Sequence, residues 1–231
     1  HQPSNFLLYS MNPLLVYTLS TDIDVSSVSV KSFRVSLTNS PNIKPFVEHW
    51  HYSKSITGLR SDYCFQMMHE DQMIGSMIYG RVAMPGAWKR YADNEEDLIE
   101  LRRLCCIDKT PKNTESYFIG KTIKWLKKNT DIKVIVSYAD TFHGHEGTIY
   151  KASNFRHAGM SPPGKMLNYH GRLYHDKVVR NYQWKDGKKV LDENGNGVPR
   201  KDCQRYRDAL ESGEAFWVET TGKHIYIYDL K

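Results

Sequence analysis

Two short stretches of this sequence carry side chains able to do chemistry. One is His49-Trp50-His51-Tyr52. The other runs from Asp140 through His143 and His145 to Tyr150. Imidazole, carboxylate and phenol together suit iron or another first-row metal. The same groups serve general acid–base work, because imidazole titrates near neutrality. His-x-His is also a common surface-loop pattern, so spacing alone leaves both readings open. Asp140 follows 133–138, KVIVSY, which reads as a buried strand. In open α/β sheets, ligands bind outside the carboxyl ends of the strands, and Asp140 stands there.

The elements that must position these groups centre on 101–126, LRRLCCIDKTPKNTESYFIGKTIKWL. Leu101, Leu104, Cys106 and Ile107 make an apolar strand with Arg102 and Arg103 set in it. Asp108 to Lys112 break it with turn chemistry. Asn113 or Thr114 then offers a side-chain N-cap, and Glu115 suits the positive end of a helix. Ile119, Ile123 and Leu126 recur at helical spacing, so one face can be buried. A strand that delivers a basic loop to a helix N-terminus makes an anion site. The plainer reading is a well-capped helix in a mixed core.

Composition bounds the rest. The 231 residues suffice for one large domain or two small ones, and 12% aromatic content speaks for a packed protein. A formal charge of +6 favours a polyanion such as nucleic acid, although solubilising surface lysine gives the same balance. Cys64, Cys105, Cys106 and Cys203 show no zinc spacing and read as reduced thiols. No run approaches the ~18 apolar residues of a membrane span. No Lys or Arg precedes the apolar 6–19 segment, so a signal-peptide n-region is missing. The chain opens on His1, and Met11 offers an alternative start. Together these place the protein in the cytoplasm.

In chain order, 1–29 reads as an N-terminal arm or edge segment. Residues 33–37 alternate as a strand; Asn39, Ser40 and Pro41 punctuate; 42–52 has helical spacing. Residues 63–69 and 73–79 make a hairpin through 70–72. The irregular 81–94 alternates basic and aromatic residues, as surfaces that stack on bases do. A short helix over 147–153 bears Tyr150, a strand covers 155–159, and 165–185 holds one or two strands. Asp192 to Gly197 imitates a calcium loop, but Cys203 stands where the twelfth-position acid belongs, so it reads as a turn. A helix covers 201–211, and 216–220 with 224–228 reads as a terminal hairpin. The order predicts an α+β (mixed α/β) fold around one sheet.

The sequence W-H-Y-S-K-S at 50–55, L-R-R-L at 101–104, P-K-N-T-E-S-Y-F-I-G at 111–120 and S-Y-A-D-T…G-H-E-G-T-I-Y-K-A-S-N-F at 137–155 resembles the Mom family of phage DNA-modification proteins. These are related to GCN5-type N-acetyltransferases (GNAT). The resemblance covers roughly 33–171. It implies a GNAT-like central mixed, largely antiparallel sheet flanked by helices, with 30–175 as the catalytic domain and 176–231 as a C-terminal extension packed on it. It further implies carbamoylmethylation of adenine N6 in double-stranded DNA, which protects phage DNA from host restriction, and use of a bound metal, iron. Carried over by motif, His51, Tyr52, Asp140 and Tyr150 form the reactive cluster, with His51, Tyr52 and Asp140 as metal ligands. Arg102 or Arg103, Asn113 and Ser116 lie near the pyrophosphate of an acyl-CoA-type donor. K-T-P-K-N-T-E-S replaces the usual glycine-rich loop, which sets acetyl-CoA itself in question.

Residues and resemblance agree on a DNA partner. Chemistry at a base N6 requires the base to be flipped out of the duplex. Trp50, Tyr52, Trp88, Tyr91 and Phe142 are candidates to stack on it; Trp88, Lys89, Arg90 and Lys54 are the candidate DNA contacts. Asp140 is the candidate base or metal ligand. Two other functions compete: a conventional acetyl-CoA-dependent N-acetyltransferase of small-molecule or protein amines, and a non-catalytic DNA-binding protein. A homodimer is compatible with the sequence, which does not specify an oligomeric state.

Overall fold

The structure, a computed structural model, describes residues 23–83 and 86–231. Most of the expected 1–29 arm, including the alternative start at Met11, lies outside the described residues. By their contacts the described residues form two compact units. The first runs to Ser137 and adds Ala152–Phe155 and Tyr228–Lys231; the second comprises Tyr138–Lys151 and Arg156–Ile227.

The first unit holds β1 (Arg34–Thr38), α1 (Ser40–Trp50), β2 (Tyr63–His69), β3 (Gln72–Gly80), β4 (Leu98–Cys106), α2 (Thr114–Asn129) and β5 (Val134–Asp140), which crosses into the second unit after Ser137. Its sheet runs β1-β2-β3-β4-β5, antiparallel except for the parallel β4–β5 pair. The fold is therefore mixed α and β around a largely antiparallel sheet flanked by helices, as predicted. β3 is central and buried on both faces, through Met73, Ile74, Met77, Ile78 and Tyr79. The predicted stripe on α2 is buried, joined by Phe118 and Thr122. Burying each large apolar side chain there contributes about 1.5–3 kcal/mol. Thr122 also meets the Tyr79 hydroxyl at 2.8 Å, so that buried polar pair is satisfied.

Two helix starts differ from expectation. α1 begins at Ser40, two residues early, because Asn39 is its cap: Asn39 Oδ1 accepts from Asn42 N at 3.0 Å. Pro41 occupies the first turn, where a missing N–H costs nothing. The residues that looked like punctuation are the helix start itself. At α2, neither Asn113 nor Thr114 supplies a side-chain cap. Capping needs an extended backbone at the cap residue, and Asn113 is left-handed, φ 71°. Thr114 Oγ1 instead donates to Pro111 O (2.7 Å) and Ser116 Oγ to Asn113 O (3.1 Å).

Within the first unit β4 and β5 pair from Leu98–Val134 to Leu101–Ser137. Beyond Leu101, β4 continues on β3, but its register shifts: Tyr79 faces Leu101 and Ile78 faces Arg103. Arg102 is the extra residue of a β-bulge, which re-aims the strand at this point.

The second unit contains most of α3 (Thr148–Ala152), then β6 (Arg156–Met160), β7 (Gly164–Tyr169), β8 (Arg172–His175), α4 (Lys177–Arg180), β9 (Trp184–Lys185), β10 (Lys188–Lys189), α5 (Lys201–Ser212), β11 (Ala215–Thr220) and most of β12 (Lys223–Asp229). A three-stranded sheet β11-β7-β8 carries its own small core of Leu167, Tyr206, Ala209 and Ala215. The expected terminal hairpin is corrected here. Its two strands exist, but β11 pairs with β7 while β12 pairs with β6. The linker is held elsewhere: Ser161 N donates to Lys223 O (2.8 Å), Lys223 N to Ser161 Oγ (2.9 Å), and Thr141 Oγ1 to Gly222 O (2.7 Å). The segment at 192–197 is a turn, as read, closed by Asp192 Oδ1 accepting from Asn194 N and Asn196 N.

β4 is anchored at its start by Asp97, whose carboxylate meets Lys133 Nζ at 3.0 Å and Asn94 Nδ2 at 3.1 Å. The bond from Lys133, with that from Asn94, holds the Asp97 carboxyl below the usual carboxylate range. A depressed carboxyl contributes stability that is complete above its unfolded value, about 3.9, and is lost as pH falls through its lower folded value. Denaturant unfolding of the parent and Asp97→Asn should differ by a constant amount above about pH 4. The gap should close below it; a gap that persists in acid contradicts this anchor.

Candidate active site

In the first unit the site begins where α1 ends. His51 is the C-cap residue, its N–H bonded to Val47 O at 2.9 Å. The chain then makes a tight turn: Lys54 N donates to His51 O at 2.9 Å, Lys54 takes a left-handed φ of 48°, and its Nζ bonds His49 O. This turn buries the His51 imidazole (6% exposed) against a Tyr52 ring left 48% exposed, with centroids 4.3 Å apart.

Ser53 serves His51 Nδ1 in either protonation state. Its backbone N–H donates to an unprotonated Nδ1 at 3.1 Å. Its Oγ, 2.8 Å away, accepts from a protonated Nδ1 and passes its own hydrogen to Ser55 O at 3.3 Å. With Nδ1–H on Ser53 Oγ in both the neutral ring and the imidazolium, the ring gains or loses a proton at Nε2 without losing its orientation. That is the property a proton-moving group needs.

The turn lies against the cations of β4. Burial holds the Arg103 guanidinium below the ordinary arginine value; Tyr52 and Glu100 oppose this and Arg102 reinforces it. Arg103 Nη1 donates to Arg102 O (2.7 Å) and Arg102 Nη1 to Arg81 O (2.6 Å), yet the Nε of each is buried without a hydrogen-bond partner among the described residues. An unmet buried donor costs about 1–3 kcal/mol, which an anion reaching these arginines would recover. Of the other predicted anion contacts, Ser116 spends its hydroxyl on Asn113 O and Asn113 is exposed in its left-handed conformation. With no side-chain cap, the first turn of α2 keeps its polarity for an anion.

The predicted DNA contacts Trp88, Lys89 and Arg90 occupy a 3-10 turn, Ala87–Arg90, entered through Gly86 at φ 75°. Lys89 Nζ stands 5.7 Å from the Trp88 ring, and Lys89, Arg90 and Lys54 are all exposed.

Asp140 and Tyr150 belong to the second unit. Asp140 caps a 3-10 turn, accepting from Phe142 N at 3.2 Å, and its other oxygen meets Lys223 Nζ at 2.7 Å. Tyr150 is buried beside Tyr226, whose hydroxyl bonds Glu146 O at 2.7 Å. Gly147 is required beneath that ring: its φ is +73°, and a Cβ there would fall 2.1 Å from Tyr226. The structure thus brings His51 together with Tyr52, and Tyr52 near Arg103, while Asp140 is held by Lys223. Sequence reasoning missed Ser53 and Lys223. Ser53 was legible, since a hydroxyl two residues after a histidine commonly bonds locally. Nothing in the sequence couples residues 140 and 223.

For a metal, imidazole and phenol are suitable donors. Among the described residues, however, no three His, Cys, Asp or Glu side chains converge, and both Asp140 oxygens are engaged. Of the expected ligands, His51 and Tyr52 belong to the first unit and Asp140 to the second; no step below runs through a metal.

Cys105 lies within this site, its Sγ 3.3 Å from Ser76 Oγ. Burial pushes its thiol, and that of Cys64, up to about 11, although Arg103 and Lys54 pull Cys105 the other way. A thiol so raised is no nucleophile at neutral pH. Both cysteines should react with a thiol reagent roughly 100-fold more slowly in the native than in the unfolded chain. Mass mapping of the labelled peptides checks this, and rapid native labelling of Cys105 would contradict it.

Comparison with known proteins places these residues in a family. The model of the Mom protein family matches residues 32–210. The methylcarbamoylase Mom of Escherichia phage Mu is 24% identical over 149 residues, spanning 63% of this chain and 61% of that protein. Among solved structures, the chain is similar to a GNAT family acetyltransferase from Elizabethkingia anophelis with acetyl-CoA bound (11% identity, 86% of this chain and 98% of that one, TM-score 0.48). It is also similar to the ribosomal-protein-S18-alanine N-acetyltransferase from Escherichia coli (12% identity, 86% and 94%, TM-score 0.45). With more than half of its length matched by the family model, the chain belongs to the Mom protein family.

Proposed function

We propose that this protein is a transferase that modifies DNA, placing a carbamoylmethyl group on N6 of adenine in the phage-infected cell. Family membership supports the class of reaction. The observation that carries it is the 51–54 turn, where an exposed aromatic ring covers an imidazole built to change protonation state, beside arginines with unmet donors.

The chemistry follows from those groups. A base flipped from the duplex needs a stacking partner to offset its lost neighbours, and the Tyr52 face supplies one. The exocyclic amine of adenine is a poor nucleophile. As the new N6–C bond forms, the bond from that carbon to the donor's leaving group breaks and the group departs with the electron pair. The N6 proton passes to His51 Nε2 while Nδ1–H is held by Ser53 Oγ. Arg102 and Arg103 suit an anionic donor, of which an acyl-CoA-type carrier is one. A carbamoylmethyl product has a methylene carbon on N6, so the donor must present an electrophilic methylene; an ordinary acetyl donor would leave a carbonyl carbon there.

The test is to express the protein, digest the cellular DNA and weigh the nucleosides. Deoxyadenosine bearing a carbamoylmethyl group is the expected product. An acetylated nucleoside would make this an acetyltransferase, and unaltered DNA would end the proposal. His51→Gln should lower the yield about 10²–10⁴-fold, the usual worth of a general acid–base group, while circular dichroism shows an unchanged fold. Undiminished product from His51→Gln would remove His51 from the mechanism.

A further inference from the structure

Charge is not spread evenly along this chain. Residues 165–207 hold eleven Lys or Arg and five Asp or Glu, so the whole formal charge of +6 lies there and the remainder is balanced. Within that stretch β9 and β10 form a minimal hairpin, pairing Lys185 with Lys188 and Trp184 with Lys189. Its two-residue turn is Asp186-Gly187, both at positive φ (49° and 73°), the backbone that a tight twisted hairpin demands.

The ribbon is braced from below. Gln183 N donates to Val198 O, Val190 N to Gln183 O and Val198 N to Val190 O, all at 2.9–3.0 Å. Lys189 Nζ lies 3.5 Å from the Tyr182 ring centroid, with the Arg207 guanidinium 5.1 Å from the same ring. Gly197 lets this close: a Cβ there would fall 2.0 Å from Lys189 Cε and 2.6 Å from Tyr182.

The tip, by contrast, has features that folding does not explain. Lys185 and Lys188 face each other on one rung, and like charges directly opposite destabilise a hairpin. Among the described residues neither forms an ion pair. Trp184 is 67% exposed. Both oddities resolve if a polyanion with a partly apolar surface lies against the hairpin. The major groove of B-DNA, about 12 Å wide, admits a two-stranded ribbon.

We propose that the 184–189 hairpin is a grip on duplex DNA. Its ribbon enters the groove, with Lys185 and Lys188 on phosphates and Trp184 against the groove wall. The choice of DNA rests on the function proposed above. Such a grip supplies backbone affinity and position, not base readout.

The test uses the full chain with a fluorescent DNA duplex, measuring affinity by anisotropy across a salt series. The double variant Lys185→Gln/Lys188→Gln should bind more weakly, and the slope of log K against log salt should fall by about two. Trp184→Ala should weaken binding several-fold with the slope unchanged. An RNA duplex, whose major groove is deep and narrow, should bind less tightly and feel Trp184→Ala less. Parental affinity and slope in both variants would overturn the proposal, as would equal loss on DNA and RNA. The outcome is separable from the modification assay. Variants that lose DNA affinity while the parent leaves nucleosides unaltered uphold the grip and sink the function; variants that bind like the parent while nucleosides are altered do the reverse.

Discussion

The first unit depends on the β-bulge in β4. Up to Leu101 the strand is held on both edges, by β3 and by β5, with Ser137 Oγ donating to Leu101 O at 3.1 Å. One residue later comes the bulge at Arg102, where the register against β3 shifts. A regular strand would alternate its side chains strictly between the two faces of the sheet. The extra residue breaks that alternation and re-aims the strand, so that Arg102 and Arg103 leave the apolar pattern and are only partly buried. The bulge turns a rigid sheet into a place where consecutive polar groups can be held together.

The turn after α1 uses the same economy. α1 is fixed by Ile43, Phe46 and Val47, all buried, so its C-terminal end is rigid. The left-handed Lys54 closes the chain back on itself at once. His51 is therefore positioned by a packed helix rather than by a loop, and Tyr52 lies over it because the turn allows little else. Precision in a site comes from such support: a ring held by a helix end and by Ser53 keeps its aim as its charge changes.

What the sequence made legible was local and periodic. Ile119, Ile123 and Leu126 announced the buried face of α2, and 70–72 announced the β2–β3 turn, where Glu70 adopts φ 51°. What it hid was either conformational or distant. Asn113 is an excellent cap residue by type, yet its left-handed backbone removes it from that role; type does not encode φ. β11 and β12 looked like a hairpin because they are adjacent and share a Gly-containing connection. Their true partners, β7 and β6, lie about fifty to seventy residues earlier. The Asp140–Lys223 ion pair is of the same kind. The local chemistry followed this division: His51 and Tyr52 are adjacent in the chain and meet within one turn, whereas the Lys223 partner of Asp140 is distant.

The placement of polar burial completes the logic. Two guanidinium Nε–H groups without partners among the described residues cost about 1–3 kcal/mol each, against a net stability of only 5–15 kcal/mol for a typical domain. The first unit can carry them because β3 is buried on both faces and α2 covers the sheet with Phe118, Ile119, Ile123 and Leu126. Among the described residues Gln66 Oε1 on β2 is unmet as well, but both unmet donors fall on consecutive residues of one strand, near the exposed Tyr52 ring. Their concentration beside Tyr52 is what a binding surface looks like before its ligand arrives, and it is why the reading of function rests on this turn rather than on the fold around it.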